Sequence, residues 1–234
     1  MPGYIKVINK PYNSGSYFEA AFAEANHTGK KRAIMTAPKT FREMLGVKPA
    51  DVKISENTLL VIDAQREYVD GNVKLTKVEP AMEALARILK RARKAGIKII
   101  HFKHHAPKGA PVFDPDGPYV EIAEPARPEE GELVIVKHFP DAFIDTGLKE
   151  NLVGSQNLIV AGFMTHACIS ATVRSAGQLG YNTTVIANAC ATRDLPDKSQ
   201  GGAMVPAAMV HQANLAALAD LFALVLEKDS DLKD

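Results

Sequence analysis

The chain has no tryptophan, only two cysteines and almost no surplus of either charge. Each shortage narrows what the protein does. Cys168 and Cys190 are too few for a disulfide framework, so the fold must rest on a hydrophobic core and both thiols stay open to chemistry. Lys plus Arg number 28 against 27 Asp plus Glu, a formal charge of +1. Without a dense basic run, composition does not favour nucleic acid or anionic lipid as a partner. No stretch reaches the roughly 18 uninterrupted apolar residues of a membrane span. The start MPGYIKVINKPYN lacks the apolar centre of a secretory signal, which points to a cytoplasmic protein. What remains is a globular chain of 234 residues, 46% hydrophobic, long enough for one sizeable core and suited to a small-molecule ligand.

Patterning divides the chain into an amino-terminal extension or arm (1–56), a regular domain (57–228) and a charged tail (229–234) expected to fray. Within the arm, Tyr4 to Ile8 reads as a short strand and Pro38 to Gly46 as a short helix. From Thr58 the pattern alternates. Leu59-Leu60-Val61-Ile62 is a continuous apolar run, as in a strand buried on both faces, and it ends at Asp63. Val78, Met82, Leu85, Leu89 and Ala92 recur at helical spacing, and Gly96 stops that helix before a strand over 97–102. A long loop rich in proline and glycine covers 103–132, and loops of that length in a compact domain tend to be functional. Further strands are expected at 133–136, 157–161 and 183–187, then an irregular loop at 188–205 and a long apolar helix at 206–226. Near-continuous apolar strands alternating with helices predict a mostly parallel, doubly wound sheet covered on both faces.

The stretch Val160 to Tyr181 carries the clearest chemistry. A strand ends, Gly162 gives a turn, and a helix pattern begins at or near Cys168. A thiol in the first turn of a helix is expected to gain thiolate character from the dipole; the alternative is a small buried hydrophobe. Asp63 and Lys137 also fall at or just past the carboxyl ends of strands, where open parallel sheets bind ligands. Together they offer a base, a cation and a nucleophile.

These residues lie in LLVIDAQREYV, VIVKHFPDAFIDTGL, VAGFMTHACISATVRSA and GYNTTVIANACATRDLP. In order and spacing the chain resembles the isochorismatase-like cysteine hydrolases, which include nicotinamidases and N-carbamoylsarcosine amidohydrolase. The resemblance runs from about Thr58 to Val225. It implies a three-layer α/β/α sandwich, a catalytic Asp63, Lys137 and Cys168, and a cis peptide between Phe163 and Met164. It also implies an oxyanion hole built from the Met164 and Cys168 N–H groups, and a homo-oligomer, dimer or tetramer. Gln65, Tyr68, Phe113, Phe143 and Thr165 are the candidate substrate-binding residues, with Phe139 a further aromatic near the pocket. Cys190 reads as packing, and His166 as structural.

The chain departs from nicotinamidases in lacking their Asp-x-His metal pair in register. His101, His104 and His105 stand instead, and the adjacent His104 and His105 cannot easily point the same way, so neither a metal nor another cofactor is expected. A cysteine at the family's nucleophile position favours cleavage of an amide, carbamoyl or imide C–N bond through a thioester. Two alternatives stay open: a vinyl-ether hydrolase of isochorismatase type in which Cys168 is a bystander, and a ligand-binding module that has kept only the fold. The absence of a Gly-rich nucleotide fingerprint weighs against the module.

Overall fold

A computed structural model describes residues 38–47 and 51–234. The strand expected at Tyr4 to Ile8 lies outside the described residues. Contacts gather residues 39–234 into one unit, which takes in part of the stretch expected to be an arm. Helix α1 (Phe41–Met44) opens it, capped by Thr40, and its Phe41 N–H donates to Asp220 at 2.7 Å.

The apolar runs form the sheet. Strands β1 (Thr58–Ile62), β2 (Ile99–His104), β3 (Leu133–Lys137), β4 (Asn157–Phe163) and β5 (Asn182–Ala191) carry the core, with helices α2 (Arg66–Val69), α3 (Val78–Lys94), α4 (Leu148–Asn151) and α5 (Ser170–Gln178) between them. A small antiparallel pair, β6 (Leu195–Asp197) with β7 (Ala203–Val205), precedes α6 (Ala207–Leu221) and the closing strand β8 (Leu224–Leu226). The main sheet is six-stranded in the order β3-β2-β1-β4-β5-β8, and every pairing in it is parallel.

Successive side chains of β1 point to opposite faces, so one run feeds two cores. Leu59 and Val61 pack with Val78, Met82, Leu85 and Leu89 of α3 on one face. Leu60 and Ile62 pack with Val173 and Ala176 of α5 and with Leu215 and Leu218 of α6 on the other. The result is a three-layer α/β/α sandwich.

Three expectations are corrected. The helix expected at 206–226 ends at Leu221, and Leu224–Leu226 pairs with β5 as a sixth strand. The run from Leu221 to Leu226 is apolar throughout, so its periodicity does not separate a buried helix from a buried strand, and the open edge of β5 decides. The loop at 188–205 is largely strand, since β5 continues to Ala191 and β6 and β7 follow. The tail is seated, not frayed: Asp229 and Leu232 are buried, and the Ile54 N–H donates to the Lys233 carbonyl at 2.8 Å.

Candidate active site

The strand order puts β1 between β2 and β4 with β3 one place further out, so their carboxyl ends share one rim. Asp63 follows β1 with a left-handed φ of 48°, which turns its side chain inward at the rim. Lys137 closes β3 in register with His104 of β2. Both Asp63 and Lys137 are 0% exposed, and Lys137 Nζ stands 2.8 Å from Asp63 Oδ2. The same ammonium also donates to the Phe139 carbonyl at 3.0 Å and to His104 Nδ1 at 3.3 Å. Burial raises the pKa of Asp63, with Lys137 opposing the rise.

Cys168 is 6% exposed and lies in a π-helical turn, Thr165–Ile169, ahead of α5. Met164 anchors that turn, its carbonyl accepting from the Ala167 N–H at 3.0 Å and the Ile169 N–H at 3.2 Å. Here the expected thiolate is corrected. Burial first, then the negative charge of Asp63, push the Cys168 thiol up to about 12, with Lys137 opposing. Desolvation and a like charge outweigh the partial charge of a helix end, so the resting sulfur is a thiol held between a carboxylate and an ammonium.

The mount of the turn is tightly specified. Gly162 has φ 120°, and a Cβ there would lie 2.0 Å from the Ile62 carbonyl oxygen, so β1 and β4 approach closely only because this residue is glycine. The Phe163–Met164 peptide is cis. Thr165 is fully buried, its hydroxyl 3.1 Å from the Ala191 carbonyl and 2.8 Å from His211 Nδ1. That corrects Thr165 as a substrate contact: it ties the turn to β5 and α6. His166 is likewise engaged, its Nδ1 2.5 Å from Thr192 Oγ1.

The other candidates separate. Gln65 is buried with its amide committed to backbone: its Oε1 accepts from the His104 N–H at 2.7 Å, and its Nε2 donates to the His104 and Val120 carbonyls at 3.0 and 2.6 Å. It clamps the long loop to the rim and has no group left for substrate. Tyr68 and Phe113 are buried in the core beside the site, their rings 5.0 Å apart edge to face. Burial first, then the charges of Cys168 and Asp63, push the Tyr68 phenol well above its ordinary pKa, so it stands near Cys168 as a neutral hydroxyl. Phe143 is not there. Ala142 and Asp141 are tied to Thr172 and Ser175 along α5, and the Phe143 ring stacks on Tyr181 at 5.8 Å, beyond the end of α5 opposite Cys168. Phe139 is exposed and contributes its carbonyl. Cys190 is buried packing.

Two residues beside the site have partners that the sequence did not signal. His104 accepts from Lys137, and its place at the carboxyl end of β2 follows the same rim rule that marked Asp63. His211 lies 46 positions from Thr165, and nothing local signalled it. His101 is spent on Glu132 at 2.8 Å. Among the described residues no group of three or more His, Cys, Asp or Glu side chains is placed to hold a metal ion.

With this geometry in hand, comparison with known proteins decides the family. The isochorismatase domain model matches residues 57–230. The chain belongs to the isochorismatase family. It is 37% identical over 193 residues to the secreted isochorismatase effector Isc1 of Verticillium dahliae, covering 81% of this chain and 98% of that protein. An isochorismatase crystal structure from Pseudomonas putida superposes with a TM-score of 0.77 at 41% identity, covering 83% of this chain and 99% of that one. Streptothricin hydrolase of Streptomyces noursei is 35% identical over 164 residues, 69% of this chain and 59% of that protein. This isochorismatase-family hydrolase thus has relatives named for more than one reaction. No helix among its described residues is long and apolar enough to cross a membrane.

Proposed function

We propose that the protein hydrolyses the C–N bond of a small amide, carbamoyl compound or imide, with Cys168 as nucleophile, Asp63 as proton carrier and Lys137 as the cation that keeps Asp63 ionised. The observation that carries this is the buried contact of Lys137 with Asp63 at 2.8 Å, beside a thiol whose pKa responds to both charges. Replacing a simple core would not require a buried ion pair, whose desolvation is costly unless it is used or well satisfied.

Substrate entering the cleft brings its carbonyl carbon to Cys168 Sγ. Asp63 takes the thiol proton as the S–C bond forms, so the thiolate need not exist beforehand. The negative oxygen is received by the Met164 and Cys168 N–H groups. Asp63 returns the proton to the departing nitrogen as the C–N bond breaks, leaving a thioester on Cys168 and a free amine. The same carboxylate then accepts a proton from water as it attacks the thioester, and the carboxylic acid leaves with the thiol restored.

The reading is tested by ammonia or acid release from a panel of small amides, ureas and cyclic imides, with mass spectrometry for an acyl adduct on Cys168. Cys168→Ala is expected to lower turnover by about three orders of magnitude or more while leaving the melting temperature nearly unchanged. A Cys168→Ala protein with native activity sinks the reading. Because one relative is named an isochorismatase effector, vinyl-ether cleavage is the second reading; it predicts activity on that ether that survives Cys168→Ala.

A further inference from the structure

His104 carries more than its contact with Lys137. An ammonium only donates hydrogen bonds, so His104 Nδ1, 3.3 Å from Lys137 Nζ, must be the acceptor. In a neutral imidazole that leaves the proton on Nε2. Burial first, then the charge of Lys137, hold the ring pKa down at about 4, so it stays neutral through the physiological range. The Nε2–H makes no hydrogen bond among the described residues, and, unlike His101 Nδ1 and His105 Nε2, it is not sealed from solvent.

The ring is also held in place. Gln65 grips the His104 backbone on both sides, at 2.7 Å to its N–H and 3.0 Å to its carbonyl. The ring packs edge to face on Phe113 at 5.4 Å, and Phe113 packs on Tyr68, whose phenol feels Cys168 and Asp63. A donor of fixed tautomer, fixed backbone and open N–H is what a pocket needs to read an oxygen atom. Preorganisation of this kind discriminates because a substrate lacking the acceptor leaves the donor unpaired on binding.

We propose that His104 Nε2–H donates a hydrogen bond to an oxygen on the acyl part of the substrate, a second carbonyl or a carboxylate, so that oxygenated amides are preferred over plain alkyl amides. This rests on the amide reading above. The test uses neutral pairs, so that charge plays no part: oxo-substituted primary amides from butanamide to hexanamide, each against the same amide with the oxo carbonyl replaced by methylene. The native protein is expected to favour the oxo member in kcat/KM by about tenfold or more. In His104→Phe, which also takes an acceptor from Lys137, both rates fall and the ratio between pair members drops to about one. An unchanged ratio in a folded His104→Phe protein overturns the proposal.

Nitrogen NMR of the native protein reads the same claim without turnover or a variant. An Nε2–H tautomer whose signal moves with the oxo amide, and not with the methylene amide, supports it. An Nδ1–H tautomer, or the same response to both amides, overturns it. If the native protein cleaves neither member of any pair, nor any amide, urea or imide of the wider panel, the amide reading fails while the NMR result still judges His104.

Discussion

A buried carboxylate beside a buried ammonium is stable only while both are present, because removing one leaves the other charged in a medium that solvates it poorly. In this site the pair has a third member. Cys168 is kept as a thiol by burial and by the charge of Asp63, which separates two properties usually expected to move together. A reactive cysteine is commonly looked for by its ready alkylation, yet alkylation of Cys168 at neutral pH is expected to be slow. Asp63→Asn removes the negative charge that raises the thiol while leaving Lys137, which lowers it. That variant is expected to lose turnover by about three orders of magnitude and yet to be alkylated faster than the native protein between about pH 8 and 10. Iodoacetamide kinetics followed by mass spectrometry at Cys168 measure this; slower alkylation in Asp63→Asn contradicts the charge assignment.

Elements deliver these residues, and two junctions between elements carry the placement. At the first, β4 passes β1 so closely that Gly162 admits no side chain. Gly162→Ala is expected to cost about 3 kcal/mol or more, since the atom it must displace is backbone, and urea unfolding reads the loss. At the second junction, just before β3, Glu132 accepts from Arg93 of α3 at 2.8 Å and lies 2.8 Å from His101 of β2. Burial alone would raise Glu132, but hydrogen bonds from Arg93, the Glu129 N–H and His101 hold it at about 2, below its ordinary 4.5. A depressed carboxylate contributes stability above its unfolded pKa and loses it as pH falls through the folded one. Stability should therefore decline from about pH 4.5 toward pH 2, and Glu132→Gln should flatten that decline. Melting temperature against pH for both proteins decides it.

For the whole molecule, the carboxyl terminus closes the fold. Asp229 accepts from Arg87 Nε at 2.7 Å and from Asn188 Nδ2 at 2.6 Å, joining α3, β5 and the tail. Asp229→Ala is expected to cost about 1–3 kcal/mol by stranding those donors, read as a lower urea midpoint. The stretch containing Asp229 was expected to fray because its charges resemble a solvated end. Partners far along the chain turn one of those charges inward. Much else was legible beforehand. Buried parallel strands announce themselves as unbroken apolar runs, and the rim rule then brings Asp63, Lys137 and Cys168 to one edge. Where a run is apolar at every position, as from Leu221 to Leu226, sequence names burial but not the element. Likewise sequence proposed which residue types meet, and could not say which atoms remain free. Gln65 and Thr165 have every polar group taken by backbone or His211, Phe143 is carried beyond α5, and His104 keeps one N–H open. Sequence by itself determined the doubly wound sheet and the placement of Asp63, Lys137 and Cys168 at its rim, because local periodicity and strand ends encode them. Tertiary structure alone decided the protonation of Cys168 and the tautomer of His104, because both depend on burial and on charges that reach the site from distant strands.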